Sequence, residues 1–162
     1  MTIEATERDV DDLAQDVADA VRDRTLTVAV AESLTGGLLA NALARAEEAG
    51  SWFRGGVVAY ASEVKHEVLR VRPGPVVAED AAAEMARHVA ATLGADVGVA
   101  VTGVGGPDEQ DGQPPGTVWM AVSLRPGPTT THLHRFAGEP ADICDATVHA
   151  ALGHLLEMLT SG

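Results

Sequence analysis

Apolar positions along this chain fall into blocks whose period changes in a regular order. Residues 9–23 (DVDDLAQDVADAVRD) place Val10, Leu13, Val17 and Val21 at three- and four-residue spacing, which predicts an amphipathic helix with an acidic outer face. TLTVAVAE (25–32) is a near-continuous apolar run and predicts a strand buried on both faces. A helix is predicted over 33–49 (SLTGGLLANALARAEEA), where Ser, Thr and paired Gly precede an apolar stripe. GGVVAYA (55–61) predicts a second, short strand, and SEVKHEVLRV (62–71) a turn that becomes helical. RPGPVV (72–77) reads as a loop, and EDAAAEMARHVAATLG (79–94) as a helix closed by Gly94. ADVGVAVTG (95–103) is another buried-type strand, followed by a long Gly/Pro/Asp loop over 104–116. TVWMAVSL (117–124) and TTTHLHRF (129–136), joined by RPGP, predict a hairpin, and 141–160 a final amphipathic helix. Helices alternating with buried strands and ending in a hairpin predict a layered α/β fold with a mixed sheet. Neither an internal repeat nor an interdomain linker is visible, so one domain over 1–162 is expected.

Composition narrows the function classes. At 162 residues and 46% hydrophobic, the chain is large enough to close one core. No run approaches the length of a membrane span, and the first twenty residues are acidic without an apolar signal core, so a cytoplasmic protein is expected. Cys144, the single cysteine, excludes an internal disulfide framework. Twenty-four acids face eleven bases, a formal charge of −13 spread along the whole chain. Such a surface repels nucleic acid and anionic lipid, so neither is expected as a partner. Acid-rich, Lys-poor surfaces suit solubility at high salt, which makes a halophilic source the expectation. Against that background one feature stands apart: Tyr60 is the only tyrosine and Lys65 the only lysine, five residues apart, while every other basic side chain except histidine is arginine.

Three stretches carry candidate chemistry. AESLTGG (31–37) puts Ser33 at the end of a buried strand and before a Gly-rich turn, the carboxyl edge where open α/β sheets bind ligands. Amides around Thr35, Gly36 and Gly37 could stabilise an oxyanion or hold a phosphate. The bland alternative is that Ser33 or Thr35 caps the helix. In the second stretch, strand 25–32, the following helix and strand 55–61 form a βαβ unit with parallel strands. Ser33 and Tyr60 then emerge at one edge, with Lys65 a helical turn beyond. A desolvated lysine can lose its proton near neutral pH and serve Ser33 as general base, with Tyr60 relaying the proton or donating to developing charge. The third stretch, TGVGGPDEQDGQPPGTVW (102–119), brings Thr102, Gly103, Gly105, Gly106 and Pro107 to the same edge as backbone suited to an anion or sugar. Asp108, Glu109 and Asp111 could hold a metal, but their spacing is not that of an EF-hand. His132 and His134 share a strand face as a metal pair without a third ligand in view, so no metal is expected. His149 and His154 fall on different helix faces, and His66 and His88 read as solvent-side.

AESLTGG, GGVVAYASEVK and TGVGGPDEQDGQPPGTVWMAV together resemble the signature blocks of the C-terminal domain of the competence/damage-inducible CinA proteins. That domain also occurs alone as a nicotinamide-nucleotide amidohydrolase. The resemblance runs from the first helix to the last and does not reach the N-terminal nucleotide-processing domain of full-length CinA. It implies a three-layer α/β/α sandwich with a largely parallel sheet, and hydrolysis of nicotinamide mononucleotide to nicotinic acid mononucleotide and ammonia without a cofactor or metal. It also implies a Ser nucleophile assisted by Lys and Tyr, matching Ser33, Lys65 and Tyr60, and a tendency to self-associate. The chain departs from the pattern at Leu34 (often Cys), Ala61-Ser62 (often Ser-Asn) and Gly105 (often Ala). More consequentially, the family's F-x-G-D-R reads Phe136-Ala-Gly-Glu-Pro140, without the arginine. A non-catalytic nucleotide-binding module, or a partner domain for a separate CinA-like protein, is therefore the rival expectation.

Overall fold

The computed structural model describes residues 8–161. Its strands are β1 (Val28–Glu32), β2 (Phe53–Val58), β3 (Val97–Gly103), β4 (Thr117–Leu124) and β5 (Thr129–Arg135), in one sheet ordered β2-β1-β3-β4-β5. β1 pairs in parallel with β2 and with β3, whereas β3–β4 and β4–β5 are antiparallel. Only β4 therefore runs against the rest. The helices are α1 (Val10–Arg24), α2 (Leu38–Ala44), α3 (Ala49–Trp52), α4 (Ser62–Glu67), α5 (Glu79–Leu93) and α6 (Pro140–Thr160). They cover both faces, giving a three-layer α/β/α sandwich.

Period-two alternation along the central strands decides which helices pack where. Val28 and Val30 of β1, Val97, Val99 and Val101 of β3, and Val118, Met120 and Val122 of β4 all point to one face. There they meet Leu13, Val17 and Val21 of α1, Leu39 and Leu43 of α2, and Ile143, Leu152 and Leu155 of α6. The other face is built from small residues: Ala29, Ala31, Ala100 and Ala121 meet Ala81, Ala82, Met85, Ala86 and Val89 of α5. Short side chains on both partners let α5 lie unusually close to the sheet. A Cβ added at Gly98 would sit 1.9 Å from the Ala86 carbonyl oxygen.

Three elements differ from the sequence reading, each for a local reason. The helix expected over 33–49 is split into a turn, α2 and α3. Gly36 (φ 56°) and Gly37 (φ 106°) adopt left-handed backbone that no helix interior contains, as does Glu48 (φ 56°) before α3. β2 starts at Phe53 and stops at Val58, so Tyr60 lies beyond the strand in the turn before α4. The helix expected to reach residue 71 ends at Glu67; Val71 N–H returns to the Lys65 carbonyl at 3.1 Å, and Arg70 takes φ 55°.

The parallel pairing of β2, β1 and β3 brings their carboxyl ends to one edge. The segments that follow, Ser33 onward, Ala59–Ala61 and the 104–116 loop, converge there.

Candidate active site

Those three segments enclose a cavity of about 270 Å³ lined by Ser33, Leu34, Tyr60 and the run Gly103–Gln110. Wider hollows lie elsewhere, one of about 600 Å³ beside Phe136 and His149 and one of about 570 Å³ beside Arg125, and neither includes Ser33, Tyr60, Lys65 or any of residues 102–107. Of those residues, Ser33, Tyr60, Gly103, Gly105, Gly106 and Pro107 line the cavity, whereas Thr35, Gly36, Gly37, Thr102 and Lys65 do not.

Ser33 owes its position to a neighbour that pattern reading passed over. Glu32, the last residue of β1, is fully buried (0% exposed), and its carboxylate accepts three hydrogen bonds. The Thr35 hydroxyl donates to Oε1 at 2.7 Å, Leu39 N–H to Oε1 at 2.8 Å and Ala40 N–H to Oε2 at 3.0 Å. Glu32 thus satisfies the orphan amides at the start of α2 that a Ser or Thr cap would otherwise take. Neither Ser33 nor Thr35 caps this helix. Thr35 donates its hydroxyl to Glu32; Ser33 is left out of the network with its side chain at the cavity wall.

Lys65 is on the inner side of α4 and only 1% exposed. Its Nζ donates to the Tyr60 carbonyl at 3.3 Å, so the bond in this structure goes to that backbone oxygen and not to the Ser33 hydroxyl. Burial pushes the amine below the ordinary lysine range, and the Asp111 carboxylate works in the opposite direction. Tyr60 itself is 72% exposed at the cavity mouth. The link between Lys65 and Tyr60 in this structure runs to the Tyr60 main-chain carbonyl, and Tyr60 lines the cavity.

The remaining candidates divide in the same way. Thr102 is buried and donates to the Val76 carbonyl at 2.7 Å, which keeps its hydroxyl from the cavity. Gly103 lines the cavity but is needed for packing too: a Cβ there would lie 2.6 Å from the Thr117 carbonyl oxygen and 2.7 Å from Val118 Cγ2. Asp108 and Glu109 sit exposed on the rim, while Asp111 accepts two backbone amides instead of facing the cavity.

The histidines are rearranged relative to expectation. His66 and His88 are half-buried and pair with the Val71 and Leu69 carbonyls, so they are not solvent-side. A third imidazole does join His132 and His134: His154 of α6 stacks on His132 at 3.6 Å and pairs with His134, Nε2 to Nε2, at 2.8 Å. The three rings engage one another instead of converging on a common point. Among the described residues no group of three or more His, Cys, Asp or Glu is arranged to hold a metal ion.

Comparison with known proteins identifies the family and the fold. The CinA C-terminal domain family matches residues 10–159. A putative competence-damage inducible protein of Bacillus pumilus is 37% identical over 152 residues, covering 91% of this chain and 36% of the relative. A CinA-like protein of Frankia casuarinae is 43% identical over 141 residues, covering 84% of this chain and 32% of the relative. The chain thus spans about a third of the length of these relatives. Among solved structures, a CinA superfamily protein from Enterobacter cloacae superposes with a TM-score of 0.93 at 30% identity, covering 99% of this chain and 98% of the other. A CinA superfamily protein from Klebsiella pneumoniae superposes at 0.89 with 34% identity, covering 94% and 98%. In sequence and in architecture, the chain belongs to the CinA C-terminal domain family.

Proposed function

We propose that the chain hydrolyses the carboxamide of nicotinamide mononucleotide, releasing ammonia and nicotinic acid mononucleotide. Ser33 attacks the carboxamide carbon, Lys65 accepts the Ser33 proton, and the C–N bond of the tetrahedral intermediate breaks once a proton reaches the departing nitrogen. Water then hydrolyses the ester on Ser33. The Gly103–Pro107 backbone is the part of the wall suited to the oxyanion and the phosphoribosyl group. A small move of the Lys65 amine from the Tyr60 carbonyl toward Ser33 completes the pair, since catalytic hydrogen bonds commonly tighten only when substrate is bound.

The observation that carries this reading is the burial of the chain's only lysine behind the wall that presents Ser33. A lysine kept for surface charge would not be desolvated. Ammonia release from nicotinamide mononucleotide by the purified protein, at high and low salt, is the test. Ser33→Ala is expected to lower turnover by at least about 10³-fold. Unchanged turnover in that variant would sink the serine mechanism.

One feature favours a second reading, a nucleotide-binding module without turnover. Pro140 stands where the family's arginine is expected, and its Cγ lies 3.9 Å from where a Cβ on Gly106 would be. The cavity rim therefore carries Asp108 and Glu109 with no cation opposite them among its lining residues. Binding of nicotinamide mononucleotide without ammonia release would establish this second reading.

A further inference from the structure

Three glycines line the cavity beside Ser33, and two of them have a structural reason to be glycine. A Cβ at Gly103 would meet the Thr117 carbonyl oxygen at 2.6 Å, and Gly106 takes φ 85°, in the left-handed region. Gly105 has neither reason. Its backbone lies outside the left-handed region. A Cβ there would come within 4 Å of Leu34 alone among the described residues, 3.6 Å from its Cβ and 4.0 Å from its Cδ1. Those are ordinary van der Waals separations, so the fold itself would accept alanine. What a methyl at this position would take away is space in the cavity, next to Leu34.

Both walls of this gap are held from behind. Leu34 is 9% exposed and belongs to the core between the sheet, α1, α2 and α6, and its carbonyl accepts from Cys144 Sγ of α6 at 3.3 Å. Across from it, Val104 N–H donates to the Thr117 carbonyl at 2.9 Å, and the Val104 carbonyl accepts from Gly116 N–H at 2.7 Å. These bonds carry the β3–β4 pairing up to the residue before Gly105. The width of the gap is therefore set by side chains on anchored backbone. Its character is apolar, with the Leu34 side chain on one wall and bare backbone at Gly105 on the other, in the same cavity as Ser33. Polar side chains enter the lining beyond it, at Asp108, Glu109 and Gln110. An apolar wall with a few polar groups at one end is the usual form of a site for a small organic molecule.

We infer that Leu34 and Gly105 form the seat for the planar ring of an aromatic carboxamide and set the specificity of the site for it. The ring lies against the Leu34 side chain and over Gly105. That placement directs the carboxamide to Ser33 and the sugar on the ring nitrogen toward the rim at residues 106–110. The inference rests on the reading of this cavity as a nicotinamide mononucleotide site and names the pair of residues that recognises the ring.

Gly105→Ala tests it, with Leu34→Ala added to Gly105→Ala as the rescue and thermal unfolding followed to establish that each protein is folded. Leu34→Val takes the place of Leu34→Ala if the larger truncation unfolds the core. Binding of nicotinamide mononucleotide is measured by calorimetry. One methyl in the seat is expected to raise Kd about tenfold or more. In active enzyme kcat/KM falls by the same factor with kcat little changed, the mark of lost ground-state binding. Shortening Leu34 in the Gly105→Ala background is expected to restore most of the affinity, which a general disturbance of the loop would not allow. An unmoved Kd in Gly105→Ala, or a raised Kd that the Leu34 truncation fails to lower, overturns the inference. The expected pattern of affinities without ammonia release keeps the seat and removes the proposed hydrolysis. Ammonia release with one Kd for all three proteins keeps the hydrolysis and removes the seat, and no binding to the unaltered protein removes both.

Discussion

At the scale of single residues, the site depends on two buried ionisable groups with opposite tasks. Glu32 is an acceptor fixed by three donors, and it orders the turn that presents Ser33. Lys65 is buried with one carbonyl partner, that of Tyr60, at 3.3 Å. Glu32→Gln turns an amide NH₂ toward at least one of the backbone N–H groups that the carboxylate accepts. It is expected to cost about 1–3 kcal/mol in urea unfolding, and an unaltered midpoint would refute the capping role. Lys65 was legible in the sequence because it is unique there, and Ser33 because it ends a buried run beside two glycines. Glu32 was not: in a chain with 24 acids, a carboxylate at a strand end carries no signal of burial. The direction of the Thr35 hydroxyl was hidden for the same reason, since it is set by Glu32.

Among elements, strands and helices with a clear period were readable to within a few residues, and the misplacements fall where backbone sign decides. Apolar spacing cannot show that Gly36, Gly37 and Glu48 take positive φ and divide the 33–49 segment. Nor can it dock α6 against β5, which is what adds His154 to His132 and His134, twenty-two and twenty residues away in sequence. Burial, with His132 adding to it, lowers the pKa of both His134 and His154. Such groups bind fewer protons folded than unfolded. Their contribution to stability is therefore complete above the unfolded value of about 6.5 and is lost as pH falls below it through the folded values. Urea midpoints are expected to drop between pH 7 and pH 5, and His154→Gln to reduce that drop. An identical pH slope in the variant would show that the α6–β5 contact does not carry it.

For the molecule as a whole, fold and chemistry share one cause. Valine on one side of the sheet and alanine or glycine on the other set the two helical layers. The parallel β2-β1-β3 core then sends three loops to one edge. That convergence was foreseeable from the βαβ pattern. The direction in which Lys65 points was not, because it depends on where α4 packs and on the Tyr60 carbonyl that its amine reaches. In a molecule with a formal charge of −13 and ten arginines as other cations, a desolvated lysine is most simply explained by its titratable amine. The most direct measurement is ammonia release from nicotinamide mononucleotide by Lys65→Arg, with thermal unfolding followed in parallel to establish that the variant is folded. Arginine keeps the charge but cannot serve as a base, so folded Lys65→Arg is expected to lose at least about 10²-fold in turnover. Turnover close to that of the unaltered protein would contradict the account.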